Sequence, residues 1–540
     1  MIGTGSGKQD AAEAFDYVIV GAGPGGCVLA NRLSENPDVR VVLIEAGPPN
    51  RHYLIDMPKG FGKLLTGSRF VTHYPTEPDA SGQAYVWARG KTLGGSTSVN
   101  GMAYTRGQPE DYDEWEAMGA TGWGWREMLK AFRAIEDHEL GADEMRGVGG
   151  PLHVGVNRVK HPVNDAVLEA ARAMGLPVRL DNNREDQAGL GPMTHMIKRA
   201  RRVSAADAFL APVRHRRNLT VLTDAQVTRV LFDGRRATGV ELVRNGRATT
   251  LAARREVLLC AGAFETPKLL MLSGIGPAEQ LKSHGVSVLH DSPGVGANMA
   301  EHRGIALQFA LKHKLSHNPQ FSGWRLLLNG IRYYLTRGGI LSYGGHELMG
   351  FAKVVPQSRT ADTQMFIAPF SRDLGASRPT FEKSPGAQCL IYPTRPTSRG
   401  TVSLRSADPA DFPIIVPNAL ETEYDRHVSV EMVRYVRRLF ATPPLADLIA
   451  RETFPGPQIE SDDDILEAIR TKGTWGFHTC GTARMGGDAA SVVDPQLRVH
   501  GVEGLRVVDA SAFPTVPSCN TTAPVAALSW RAADLIRNAA

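Results

Sequence analysis

The residues Gly21-Ala22-Gly23-Pro24-Gly25-Gly26 have GxGxxG spacing, and Glu45 follows at the end of the next apolar run. Together they could hold a dinucleotide. Gly21 permits a tight turn, Gly23 lets the backbone approach a pyrophosphate, and Gly26 lets a helix and a strand pack closely. Glu45, with Ala46 beside it, is placed to accept from ribose hydroxyls. A second loop, Gly90-Lys91-Thr92-Leu93-Gly94-Gly95-Ser96-Thr97-Ser98-Val99-Asn100-Gly101-Met102, sets a glycine pair before hydroxyl residues. Its backbone can lie against a flat ring or a phosphate. Bases are plentiful, since the chain holds 16 histidines. A histidine taken alone is more often structural than catalytic.

The elements around the first glycine turn support the dinucleotide reading. Phe15 to Val20 is a short β-branched run suited to a strand buried on both faces. Val28, Leu29, Ala30 and Leu33 continue it with a helical pattern, and a second apolar strand, Val39 to Ile44, leads to Glu45. This is a Rossmann-type strand–turn–helix–strand unit with its acid in place. It does not by itself decide between FAD and NAD. No second unit follows, because Gly274-Ile275-Gly276 and Gly294-Val295-Gly296 lack the helical pattern after them. One dinucleotide is expected.

Bulk properties narrow the class. At 540 residues the chain is too long for one core, so at least two domains are expected. Residues 1–12 are small and polar and read as a disordered terminus or tag. No secretory signal or membrane-spanning segment is evident, which leads to an expectation of a soluble, cytoplasmic protein. The net charge is +5, and the densest basic run is Lys198-Arg199-Ala200-Arg201-Arg202. No aromatic interleaving accompanies it, so it reads as a solvated turn and not as a nucleic-acid site. The five cysteines lack CxxC spacing, which disfavours both a disulfide framework and a bound metal.

Further motifs are specific enough to suggest a family. The 90–102 loop is followed by Gly107-Gln108-Pro109-Glu110-Asp111-Tyr112-Asp113-Glu114-Trp115, and later by Gly262-Ala263-Phe264-Glu265-Thr266-Pro267 running on to Gly276. Gly294-Val295-Gly296-Ala297-Asn298-Met299-Ala300-Glu301-His302 comes next, then His478-Thr479-Cys480-Gly481-Thr482, Val507-Val508-Asp509-Ala510-Ser511 and Asn520-Thr521-Thr522-Ala523-Pro524. In these stretches the chain resembles the glucose–methanol–choline (GMC) flavin oxidoreductases, with Glu301 where the family usually has Asp. The resemblance runs from about Phe15 to the carboxyl end. It implies an α/β fold: a Rossmann-type FAD-binding domain with an inserted α+β substrate domain built on an antiparallel sheet of six strands. It places FAD-binding sequence at 13–155, 197–303 and 466–540, and the substrate-binding domain at 156–196 and 304–465. The strand Gly400 to Arg405 is the clearest strand pattern in the substrate domain.

The same resemblance implies the site. Flavin-dependent alcohol oxidation moves a hydride from carbon to the flavin and a proton from the hydroxyl. The hydroxyl needs a base with a pKa near ambient. His478 matches the family's catalytic histidine, and Asn520 matches its second active-site residue, able to donate to the forming alkoxide. Leu93, Gly94, Ser98, Asn100, Gly101 and Met102 belong to the implied flavin loop, with Arg89 before it as a phosphate candidate. Val227 is expected to give its backbone to adenine, and Asp509 and Ala510 to meet the ribityl–pyrophosphate portion. Asn520, Thr521 and Thr522 should open a last helix, from about Ala523 to Ile536. The dipole of that helix favours charge on the reduced flavin. Some members bind FAD covalently through a histidine of the glycine loop; here that position is Val99, so FAD is expected to be non-covalent. His302 reads as a hinge in a cofactor-contacting loop, and Cys480 as a core residue.

The substrate is less determined. Trp475 and Phe477 adjoin His478, and the substrate domain carries Phe321, Trp324, Tyr333, Tyr334, Tyr343 and Phe351. An aromatic or medium-chain primary alcohol is favoured over choline or a sugar, with O2 or another acceptor taking the electrons. The alternative is non-oxidative use of the same scaffold, as in cyanohydrin lyases and light-driven fatty-acid decarboxylases. Oligomeric state is left open.

Overall fold

The computed structural model describes residues 13–79, 82–374 and 380–539; the expectation for 1–12 lies outside them. Two sheets dominate. The first runs in the order Leu219–Leu222, Val41–Ile44, Ala14–Val20, Arg247–Leu259, Arg236–Arg244, Ala225–Asp233, with Leu505–Val507 also paired to Arg247–Leu259. Arg247–Leu259 serves two pairings along its length. Its first half pairs antiparallel with Arg236–Arg244, and its second half lies parallel between Ala14–Val20 and Leu505–Val507. The parallel strands carry mostly buried apolar residues, among them Val18, Ile19, Val41 to Ile44 and Val257 to Leu259. Pro24–Leu33 and the final helix, Thr522–Ala539, pack into the same core.

Gly26 shows why the glycine turn needs glycine. A Cβ there would lie 1.9 Å from the Gly21 carbonyl oxygen, so helix and strand could not approach as they do. Gly21 itself has φ +99°, a backbone region that side chains disfavour.

The second sheet is antiparallel. Its path is Ile449–Phe454, Arg303–Leu311, Gly386–Pro393, Thr363–Ala368, Leu348–Ala352, Gly189–Pro192, the expected six strands; the short strand Thr474–Trp475 also pairs with Arg303–Leu311. Alternation divides its side chains. Ile305, Leu307, Met365, Ile367, Cys389 and Ile391 face a core shared with the helices Pro162–Ala173, Glu423–Phe440 and Asp462–Lys472. Their neighbours Gln364 and Tyr392 belong to the opposite face, where they are paired across adjacent strands. The 400–405 pattern does form a strand, Thr401–Ser403, but outside this sheet. Its strand partner is Ile414–Val416, and Val402 clusters with Trp87, Phe264 and Trp475. Its alternation was real; which sheet it would join depends on contacts distant in sequence.

The substitution Gly26→Ala should destabilise the protein by at least about 1–3 kcal/mol through overpacking. Gly62→Ala, where an added Cβ meets nothing within 4 Å, should leave the unfolding temperature nearly unchanged. Thermal unfolding followed by circular dichroism checks both.

Candidate active site

A cleft of about 660 Å³ lies at the carboxyl ends of the parallel strands, where open α/β sheets bind ligands. Of the residues expected to bind a cofactor, Gly21, Gly23, Glu45, Ala46, Arg89, Val227, Asp509, Ala510, Thr521 and Thr522 line it. Gly26 stands behind the turn. The cleft-facing part of the second glycine loop is Gly90, Lys91, Gly95, Ser96 and Thr97, while Leu93, Gly94, Ser98, Asn100, Gly101 and Met102 are not among its lining. These six act instead on the loop's own shape or lie beside it. Ser98 Oγ donates to the Leu93 carbonyl at 2.7 Å, and a Cβ on Gly94 would meet that Oγ at 2.5 Å. Asn100 Oδ1 accepts from the Met102 N–H at 3.0 Å, with Met102 held at φ +63°. The Gly101 carbonyl lies near Gly344.

The donor set suits a dinucleotide. Glu45 accepts from the N–H groups of Ala22 and Gly47, both at 2.9 Å, and so fixes the turn while bordering the cleft. Burial raises its pKa to about 7. A Cβ on Gly262, which also lines the cleft, would meet nothing within 4 Å, and one on Gly23 only the Cys260 carbonyl at 3.9 Å, leaving the backbone open to a ligand. Two helices, Pro24–Leu33 and Thr522–Ala539, begin at the cleft, where their N–H groups and dipoles favour negative charge. Asp509 instead binds protein groups: Oδ2 accepts from Gly262 N at 2.8 Å and Thr266 Oγ1 at 2.7 Å. Arg89, the phosphate candidate, borders the cleft and is also engaged by protein groups. Its guanidinium sits 3.6 Å from the Glu301 carboxylate, donates to Thr479 Oγ1, and lies over the Phe264 ring at 4.8 Å. Val99 turns into an apolar cluster with Ile55, Leu64, Phe70 and Val71.

His478 sits between Phe477 and Thr479, both of which line the cleft. Its Nε2 meets Asn520 Nδ2 at 2.8 Å, and its Nδ1 meets Nδ1 of His302 at 2.9 Å. The other nitrogen of His302, Nε2, meets the Thr394 carbonyl at 3.0 Å. A carbonyl only accepts, so His302 carries its proton on Nε2 and offers Nδ1 as a lone pair. His478 therefore donates from Nδ1, and its Nε2 is the unprotonated nitrogen. Asn520 is oriented just as firmly. Its Oδ1 accepts from Thr105 Oγ1 and Gln364 Nε2, each at 3.1 Å, which turns Nδ2 toward His478. Gln364 is held in turn by the Tyr392 hydroxyl, which donates to Oε1 at 2.7 Å.

Glu301 anchors the backbone of this cluster. Its Oε1 accepts from His478 N at 2.7 Å and His302 N at 2.9 Å, and its Oε2 from Thr479 Oγ1 at 2.6 Å. Phe477, with φ +60°, occupies the left-handed region immediately before His478, a strained conformation for a bulky residue. Sequence reasoning missed Glu301, Gln364 and Tyr392, and assigned His302 to a hinge. The acid–histidine pair 301–302 was the available signal for the first and last. Nothing local marks Gln364 or Tyr392.

Burial, His302 and Arg89 hold His478 well below the usual histidine pKa, in contrast to the near-ambient value expected. Of the aromatics named as pocket candidates, Phe351 joins Met193, Met349, Phe366 and Tyr392 in an apolar cluster beside Gln364. Trp324 and Tyr334 are exposed, Tyr333 is buried beneath them, and Phe321 and Tyr343 flank Lys59. Trp475 packs on Trp87. All five cysteines are buried and unpaired, Cys480 within the first core.

The sequence profile of the GMC oxidoreductases matches residues 15–303, and its carboxyl-terminal counterpart matches residues 396–529. The chain belongs to the GMC oxidoreductase family. It is thus an FAD-dependent oxidoreductase of the class acting on CH–OH donors. Human mitochondrial choline dehydrogenase is 39% identical over 98% of this chain and 91% of that protein. Alcohol dehydrogenase [acceptor] of Pseudomonas putida is 37% identical over 97% of this chain and 95% of its own length. Among solved structures, pyridoxine 4-oxidase from Mesorbium loti superposes with a TM-score of 0.87 at 33% identity, covering 96% of this chain and 98% of that one. Formate oxidase gives 0.90 at 28% identity, covering 98% and 99%. Among the described residues of this GMC oxidoreductase, no helix is long and apolar enough to cross a membrane.

Burial lowers the pKa of His302 from 6.5 to about 4. Below pH 6.5 the unfolded histidine takes up a proton that the folded one refuses, so acid favours unfolding. The stability held above pH 6.5 should fall by roughly 3 kcal/mol as pH drops to about 4, with His478 adding in the same direction. Denaturant unfolding across that range measures it, and His302→Gln should flatten the pH dependence.

Proposed function

We propose that this enzyme oxidises a primary alcohol with an apolar substituent, aromatic or medium-chain, to the aldehyde, with His478 as the base. The observation that carries this reading is the fixed tautomer of His478: its unprotonated Nε2 accepts from the amide of Asn520 at 2.8 Å. A substrate hydroxyl that displaces this hydrogen bond gives its proton to Nε2, while Asn520 Nδ2, freed from the ring, donates to the oxygen as negative charge grows there. The imidazolium so formed strengthens its Nδ1 bond to His302 into a charge-assisted one. A low pKa in the free protein means that His478 enters the reaction unprotonated throughout the neutral range. FAD, when bound, supplies the two-electron acceptor for the hydrogen leaving carbon. Gly21, Gly23, Glu45, the 95–97 segment, Val227, Ala510 and the amino end of Thr522–Ala539 would hold it.

The substrate preference rests on the apolar surroundings of Gln364, the partner of Asn520, where Met193, Met349, Phe351 and Phe366 cluster with Tyr392. The nearest carboxylate to His478 by direct bonding, Glu301, is saturated by backbone and Thr479 and paired with Arg89, which leaves it poorly suited to a quaternary ammonium. Similarity to choline dehydrogenase supports the rival substrate, so choline belongs in the same test.

Anaerobic mixing of the purified flavoprotein with benzylic alcohols, medium-chain alcohols and choline should bleach the flavin absorbance fastest with an uncharged alcohol. Faster bleaching by choline overturns the substrate preference. No bleaching by any alcohol, with turnover only of cyanohydrins or under blue light, overturns the oxidation itself. His478→Ala should slow flavin reduction by at least about 100-fold with FAD still bound. Repeating turnover in air with peroxide detection distinguishes O2 from another acceptor.

With Val99 apolar and buried, no imidazole is available at that loop position for a bond to the flavin. Acid or heat precipitation should accordingly leave all yellow colour in the supernatant, whereas a yellow pellet would refute non-covalent binding.

A further inference from the structure

The helix Gly323–Thr336 is built inside out. Seven of the sixteen exposed large apolar side chains among the described residues belong to this one element of 14 residues. Trp324, Leu327, Leu328, Ile331, Tyr334 and Leu335 recur at i, i+3, i+4, i+7, i+10 and i+11, which gathers them on a single face. That face is turned to solvent: Leu335 is 79% exposed, Trp324 67% and Leu327 66%, while Tyr333, on the opposite side, is the helix's buried anchor. An exposed apolar stripe of this continuity marks an interaction surface.

Charge identifies what covers it. Arg325 and Arg332 flank the stripe on one side, and Arg337 caps its end. No acidic residue occurs from His302 through His346. The Tyr333 hydroxyl donates at 2.9 Å to the carbonyl of Ala200, tying the helix to the turn of the basic run, where Lys198 and Arg199 are exposed. Asp56 approaches this side and is paired with Arg201 at 2.7 Å. A second copy of the chain meeting this face across a two-fold axis would set arginine against arginine. A bilayer with anionic headgroups meets both requirements: apolar side chains enter the acyl boundary, and arginines reach the phosphates. At 14 residues, about 21 Å long, the helix is too short to span and suited to lie in the interface.

We propose that Gly323–Thr336 docks this enzyme on the surface of an anionic lipid bilayer. The chain beyond the helix runs to Gly344, which adjoins Met193 and the Gly101 carbonyl of the second glycine loop. The inference is independent of the substrate reading.

Co-sedimentation of the FAD-loaded protein with large vesicles of phosphatidylcholine, with and without about one-third phosphatidylglycerol, tests it. Binding should rise on the order of 100-fold with the anionic lipid, about fivefold for each of three arginines, and fall in high salt. Trp324 emission should shift to the blue on binding, and Trp324→Phe should remove that shift. The double variant Leu327→Glu, Leu335→Glu should remain in the supernatant with its flavin absorbance and alcohol turnover intact. Failure of the unmodified enzyme to pellet with the anionic vesicles overturns the proposal, as does pelleting of the double variant like the parent. A concentration-dependent dimer that the double variant abolishes, without vesicle binding by the parent, would give the face to a second copy instead.

Discussion

The bond between the two Nδ1 atoms of His302 and His478 admits one proton, and the side on which that proton sits determines what the site can do. If His478 accepted it, its Nε2 would carry hydrogen and could not take a proton from a hydroxyl. The Thr394 carbonyl prevents this by claiming the hydrogen of His302 Nε2, leaving His302 with only a lone pair to offer. A main-chain oxygen thus fixes the tautomer of His478 through an intervening ring. Burial reinforces the arrangement, because both rings are held below the ordinary histidine pKa and neither gains a second proton near neutrality.

The same constraint explains why the two sheets must meet where they do. From Thr394 the hydrogen bonds pass through His302, His478, Asn520 and Gln364 to Tyr392, so the circuit starts just after the strand Gly386–Pro393 and ends on it. Continuing the pairing of Ile305 with Ile391 sets His302 opposite Thr394, and Gln364 is the direct partner of Tyr392. The antiparallel sheet therefore positions the groups that hold His478 and Asn520 from either side by register alone. His478 follows the short strand Thr474–Trp475 at the start of Arg303–Leu311, where Glu301 also fastens its backbone, while Asn520 precedes the last helix of the first core. A small sliding of one sheet against the other would break several bonds together, which gives the site the rigidity that proton and hydride transfer require.

What the amino-acid sequence disclosed follows the range of each interaction. The strand–turn–helix unit and its acid were legible because Gly21, Gly23, Gly26 and Glu45 act within one local motif. The last helix was legible for the same reason, with Thr522–Ala539 found where 523–536 was expected. His478 and Asn520 were identifiable only through family motifs, since neither differs locally from an ordinary histidine or turn asparagine. Gln364 and Tyr392 were beyond reach, because what distinguishes them is a cross-strand pairing and a partner more than 100 residues away in sequence. The aromatic residues of 321–343 misled for a related reason. Helical periodicity identifies an apolar face, yet it carries no information about whether that face turns inward.

The basic run shows how one short segment can serve opposite environments. Residues 197–198 and 201–202 form a two-stranded hairpin whose turn residues, Arg199 and Ala200, both have positive φ. The turn presents Lys198 and Arg199 to solvent, but strand alternation sends Arg202 inward. There its guanidinium donates to the Thr97 carbonyl at 3.1 Å and to Asn100 Oδ1 at 3.0 Å, bracing the second glycine loop from behind. Burial lowers its pKa to about 9, so it still holds its charge at neutral pH. Ala200 meanwhile accepts from Tyr333, the single buried anchor of the exposed helix. The hairpin consequently joins the cofactor cleft to the apolar surface by two sets of hydrogen bonds only a few residues apart. Composition alone recorded this segment as a patch of positive charge; alternation along the strands separates the arginine that braces the loop from the cations that face outward.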